Sequence, residues 1–151
     1  MTDEELKKIR EENRQKIKWL KRYIPHEQRI KFLCEEKSKW MARAEKITPT
    51  LSDMPKANSN SNKIESAIEK ITEFEDAIDK EIDSSIDIKI EILAAIKTVN
   101  DPVLQNLLML RYINDKKWEE IAVEMNYDYR WVLRLHGKAL SMLNTPLKDT
   151  L

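Results

Sequence analysis

Glycine occurs once and cysteine once in 151 residues, and each scarcity removes a class of structure. Tight β-turns draw on glycine and proline, so a chain with one glycine, five prolines and 7% aromatics is predicted to be all-α. The lone Cys34 excludes an internal disulfide framework and argues against a cysteine-cluster metal site, and the two histidines, His26 and His136, argue against zinc. No apolar run approaches the roughly 18 residues of a membrane span. The opening Met1-Thr2-Asp3-Glu4-Glu5 lacks the basic-then-apolar order of a signal peptide. The expectation is a soluble, cytoplasmic protein without a membrane partner.

An excess of one charge sign is also missing, because 27 basic residues balance 27 acidic ones. The distribution is uneven. Residues 1 to 50 hold 14 basic and 9 acidic side chains, residues 51 to 100 hold 6 and 11, and residues 101 to 151 hold 7 and 7. A basic first part and an acidic middle are expected to pair.

Thr2 and Glu5 have capping-box spacing. The basic stretch after them has few apolar residues, Leu6, Ile9, Ile17 and Leu20, so residues 1 to 25 read as a solvated helix prone to fraying until Pro25 breaks it. A second helix is signalled by Ile30, Leu33, Cys34, Trp40, Met41, Ala44 and Ile47 at three- and four-residue steps, with Cys34 read as core. Residues 48 to 62, rich in Pro, Ser and Asn, read as a mobile loop. A long helix from about Lys63 to Val99 carries Ile64, Ile68, Ile71, Phe74, Ile78, Ile82 and Ile86 on one face and spans roughly 50 Å. Residues 26 to 100 are therefore expected to form an antiparallel helical hairpin. Lys31, Lys37, Lys39, Arg43 and Lys46 would face Glu69, Glu73, Asp76, Asp79 and Asp83 along its edges. Exposed pairs contribute only about 0 to 1 kcal/mol each, so they set register while apolar burial stabilises.

Residues 101 to 145 read as a helix-turn-helix domain, with 146 to 151 as a tail. Asp101 and Pro102 open a helix that carries Val103, Leu104, Leu107, Leu108 and Leu110 and ends near Ile113. A second helix spans Trp118 to Met125, a turn falls at Asn126-Tyr127-Asp128, and a third helix runs from Tyr129 to about Leu143. Two helices crossing steeply over a three-residue turn need a small residue at the crossing and apolar side chains facing a supporting helix. Ala122 fills the first role; Ile121, Met125, Tyr127, Val132 and Leu135 fill the second, with Tyr127 plugging the turn. Asn126 suits a left-handed backbone, and Asp128 can cap the last helix.

This places Tyr129, Arg130, Trp131, Leu133, Arg134 and Lys138 on the outer face of the third helix, the element that enters the major groove in proteins of this kind. Arg130 and Arg134 lie one turn apart, and either can make a two-pronged contact with guanine, while Lys138 suits phosphate. The alternative for both arginines is a solvated helix face. Bulky Trp131 and Leu133 suit a thymine methyl or a protein partner better than polar base readout.

The stretches Leu110-Arg111-Tyr112-Ile113, Trp118-Glu119-Glu120-Ile121-Ala122 and Arg134-Leu135-His136-Gly137-Lys138-Ala139-Leu140 resemble the fourth region of bacterial sigma factors. They are closer still to small phage proteins of the RinA/ArpU type, whose family role is activation of phage late genes. The run Ile47-Thr48-Pro49-Thr50-Leu51-Ser52-Asp53-Met54-Pro55, with the polar loop and acidic helix after it, resembles an uncharacterised phage protein family with such a C-terminal domain. The resemblance covers about residues 19 to 145. It implies a phage or prophage transcription regulator in a bacterial host cell, binding double-stranded DNA and working with RNA polymerase; because one small helix-turn-helix buries limited surface on DNA, self-association through the helical hairpin is also expected.

Two other readings remain at the level of sequence: a small terminase subunit that marks a DNA-packaging site, and a protein-only module that docks on polymerase. An enzyme is not expected. The carboxylates of residues 65 to 91 and Glu119 and Glu120 fall on charged helices, and there is no Gly-rich phosphate loop, nucleophile-and-base pair or metal-ligand spacing. No cofactor or metal is implied. His136 reads as a phosphate donor or a neighbour of the recognition helix. The basic cluster Arg14, Lys16, Lys18, Lys21 and Arg22 around Trp19 either grips phosphate or is a solvated face. Gly137, inside a helix, reads as a point of close approach to DNA or to the first helix, or as drift.

Overall fold

A computed structural model describes residues 2–52 and 57–146, which form helices and turns and, among the described residues, no strand. The helices are α1 (Asp3–Leu20), a 3-10 turn (Lys21–Tyr23), α2 (Ile24–Ser52), α3 (Ala57–Lys97), α4 (Pro102–Tyr112), α5 (Trp118–Met125) and α6 (Tyr129–Met142). The expected loop of residues 48 to 62 is shorter than its composition suggests. Helix α2 continues to Ser52 and α3 begins at Ala57, and the rest of that loop, 53–56, lies outside the described residues, as does 147–151 of the tail. Extending a helix already nucleated costs far less than starting one, so poor helix formers are carried along at its end.

The chain divides into two compact units, Met1–Glu27 with Ser85–Leu151, and Gln28–Ser84. In the second unit, Arg29 pairs with Glu81 at 2.9 Å and Lys37 with Glu75 at 3.2 Å. Partners advance along α2 while they recede along α3. Of the expected basic set, Lys37 is thus bonded to an acidic neighbour not foreseen, Lys39 binds Glu36 on its own helix, and Arg43 lies over the Trp40 ring. The apolar stripe also differs. Ile68 is 53% exposed and Ile82 is exposed, whereas Ala67 is buried. Small side chains are covered completely where helices approach closely, and a reading led by large residues passes over them. Cys34 is exposed rather than core.

The first unit is built around one apolar cluster that draws on both ends of the chain. Leu20 and Tyr23 join Ile92, Ala95, Ile96 and Val99 of α3, the leucines of α4, Ile121 and Ala122 of α5, and Val132, Ala139 and Leu140 of α6. Burying a large aliphatic side chain stabilises by about 1.5–3 kcal/mol, so Leu20 at the end of α1, with buried Tyr23 in the turn after it, ties α1 to this core. The N-terminal helix is therefore part of this core instead of a frayed appendage. Its start carries the capping box: Glu5 N–H donates to Thr2 Oγ1 at 3.3 Å, and Thr2 N–H donates to Glu5 Oε2 at 3.2 Å.

Candidate functional site

Helix α4 supports the pair α5 and α6. Asp101 caps it, accepting from the N–H groups of Val103 at 2.9 Å and Leu104 at 3.3 Å, with Pro102 in its first turn. These bonds satisfy donors that a helix start leaves without intrahelical partners. Helix α5 closes on Asn126, whose φ of 59° and ψ of 44° are left-handed. The Tyr127 N–H then donates to the Ala122 carbonyl at 3.0 Å and the Asn126 N–H to that of Val123 at 3.2 Å, which turns the chain sharply from α5 into α6. Asp128 occupies the cap position of α6, but its side chain makes no capping hydrogen bond.

Of the six side chains expected to form a buried seam, Ile121, Ala122 and Val132 are buried, and Met125 and Leu135 are partly buried against the same core. Tyr127 is not a plug. It is 38% exposed and lines a shallow hollow with Pro102, Val103, Asn106 and Met125. The bonds of its backbone fix the turn, so its ring is left at the surface.

The seam leaves the opposite side of α6 in solvent. Tyr129, Arg130, Trp131, Leu133, Arg134, Gly137 and Lys138 are all exposed. Arg130, Arg134, Gly137 and Ser141 follow one another at helical steps of three and four, and so form one outer stripe. Helix α6 contains Arg130, Arg134 and Lys138 and no Asp or Glu. In a chain of which 36% is charged and whose signs balance, a helix with cations alone is a local positive field.

His136 faces the other way. Its Nε2 and the Tyr112 hydroxyl share a hydrogen bond of 2.7 Å, and the Trp118 ring lies 4.4 Å from the imidazole between centroids. Burial, with the Arg111 and Lys21 cations adding to it, pushes the imidazole down to about 4. Burial likewise pushes the Tyr112 phenol above its ordinary value, against the smaller opposing pull of Arg111. His136 is thus a half-buried packing residue whose Nε2 is already engaged by Tyr112. Arg111 lies over the Trp118 ring at 4.7 Å and donates to the Lys116 carbonyl at 3.0 Å, holding the loop between α4 and α5.

The basic cluster around Trp19 holds in part: Arg14, Lys18, Trp19 and Arg22 line one open hollow with Glu11 and Gln15. Lys16 is buried and donates to the Leu140 carbonyl. Arg22 stacks on Trp19 and pairs with Glu91 at 2.7 Å, and Arg14 pairs with Glu11 at 3.2 Å. Lys18 and Lys21 are exposed. Sequence reading missed the inward role of Lys16, since nothing in local spacing distinguishes it from its neighbours. Among the described residues there is no group of three or more metal-binding side chains and no helix long and apolar enough to cross a membrane. Compared with known protein families, characterised proteins and solved structures, the chain gives no match.

Proposed function

We propose that the chain binds duplex DNA through a helix-turn-helix formed by α5 and α6, as a phage or prophage late-gene transcription regulator acting with host RNA polymerase. The observation that carries this reading is the outer stripe of α6, where Arg130 and Arg134 stand in solvent one turn apart on a helix without a carboxylate. An arginine presented this way matches the O6 and N7 acceptors of guanine, and Lys138, farther along, suits a phosphate. Tyr129 and Trp131 flank Arg130 on the N-terminal half, the part that enters the groove in this docking mode.

A single module of this size buries limited surface on DNA, so useful affinity calls for a second copy or a second protein. Residues 26 to 100 as an antiparallel hairpin would supply that contact; exposed Ile68 and Ile82, two heptads apart on α3, support pairing through the long helix. A mass measurement separates the rivals. A monomer or dimer fits a regulator, and a ring of eight or more fits a packaging subunit.

The deciding experiment selects duplexes from a random-sequence pool and measures their retention by the unaltered protein and by a double Arg130→Ala, Arg134→Ala variant. Enrichment of a common site, lost in the folded variant, supports the proposal. Retention of all duplexes alike at every salt concentration counts against specific readout. A second reading has one observation in its favour: Trp131 is 48% exposed and Leu133 is also exposed, which suits docking on polymerase without DNA contact. In that case the arginine variant would keep full activity.

A further inference from the structure

Gly137 is the only glycine in the sequence, and it lies in the middle of α6. Glycine in a helix interior is less favourable than any ordinary residue, so such a position calls for a local reason. The backbone supplies none, because no glycine of the chain has positive φ. Packing supplies none either: a Cβ built on Gly137 meets nothing within 4 Å. That removes the first helix as the object of a close approach. The gap opens on solvent, in the same stripe as Arg130, Arg134 and Ser141 and beside Lys138.

Position along the axis narrows what fills the gap. Gly137 lies eight residues beyond Tyr129, which is about 12 Å of helix rise. The major groove of duplex DNA is about 8.5 Å deep. With the first turns of α6 in the groove, Gly137 reaches the rim, where the sugar-phosphate strand runs. The α6 side chains before and after Gly137 are cationic or neutral, never acidic, as a polyanionic strand requires.

Resting on the DNA-binding reading above, we infer that Gly137 is the point at which the α6 backbone comes directly against a DNA sugar-phosphate strand, and that any side chain there holds the helix out of the groove. Gly137 thereby sets the depth at which Arg130 and Arg134 meet base edges, and Lys138 is placed to hold the phosphate alongside.

The test uses the full chain, with Gly137→Ala and Gly137→Leu, and a duplex selected from a random pool by the unaltered protein. Both replacements are good helix formers, so each is expected to raise the thermal midpoint, by about 2–4 °C in a chain of this size. Affinity is expected to move the opposite way, by about tenfold for alanine and further for leucine. A loss that follows side-chain size while stability rises is the expected signature. Unchanged affinity in both variants overturns the inference and leaves the DNA-binding reading intact. Unchanged affinity for DNA with lost binding to purified RNA polymerase also overturns it, assigning the gap to a protein surface. If the unaltered protein retains no duplex from the pool, the DNA-binding reading falls and this inference falls with it.

Discussion

Lys16 Nζ donates to the carbonyl oxygen of Leu140 at 2.7 Å, joining α1 to the last turn of α6. The same oxygen accepts the N–H of Leu143 at 3.3 Å. Carbonyls at a helix end lack intrahelical donors and carry the negative pole of the helix dipole, so a cation is well placed there even though Lys16 is only 5% exposed. Lys16→Met keeps most of the apolar stem and removes the charge. Urea unfolding is expected to show a loss of about 1.5–3 kcal/mol, and an unchanged midpoint would show that the ammonium contributes nothing net.

His136 gives the first unit a specific acid sensitivity. Its imidazole, pushed down to about 4 by burial and then by Arg111 and Lys21, stays neutral in the fold while the unfolded chain binds a proton below about 6.5. Between these values the unfolded state holds more protons, so stability is complete above the upper one and falls as pH drops towards the lower. The slope approaches about 1.4 kcal/mol per pH unit. Unfolding of the unaltered protein and of His136→Gln, compared from pH 7 to pH 5, is expected to show a flatter profile in the variant. Parallel profiles would mean that another group titrates.

At the end of α5 the left-handed backbone of Asn126 predicts opposite responses to two small replacements. Asn126→Gly is expected to leave stability within about 0.5 kcal/mol, because glycine adopts this conformation freely. Asn126→Ala is expected to cost about 1–2 kcal/mol. Calorimetry of the two variants reads the difference directly.

On the outer face of α6, arginine and lysine replacements are expected to differ in kind. Under the proposed function, Arg130→Ala and Arg134→Ala each cost about 1–3 kcal/mol on the selected duplex and relax preference at one base pair. Lys138→Ala weakens binding to all duplexes alike and reduces the slope of log affinity against log salt by about 1. Competition titrations at several salt concentrations distinguish the two patterns.

The elements legible in the sequence are those whose signals are local. Asp101 with Pro102, Thr2 with Glu5 and Asn126 at a turn each act within a few residues, and each is found at its helix terminus. Ile121 and Val132 are buried as the spacing requires. The placement of Arg130, Arg134 and Lys138 in solvent followed from the same periodicity. What was hidden depends on distant parts of the chain. Leu20 and Tyr23 belong to a sparse apolar pattern that marks no buried face alone, and become core only against α3, α4 and α6. Lys16 looks like any surface lysine until the Leu140 carbonyl meets it. Tyr127 failed as a plug because backbone bonds at Ala122 and Val123 already close the turn.

A core closed by the two ends of the sequence sets the order in which this protein can fold as it is made. Lys16 precedes Leu140 by 124 residues, so at about 5–20 residues per second the first helix leaves the ribosome many seconds before its counterpart. During that interval Leu20 and Tyr23 have only the cover that α3 and α4 supply and none from α6. The nascent chain is then most exposed to aggregation, and a chaperone that shields short apolar segments would have its greatest effect on yield.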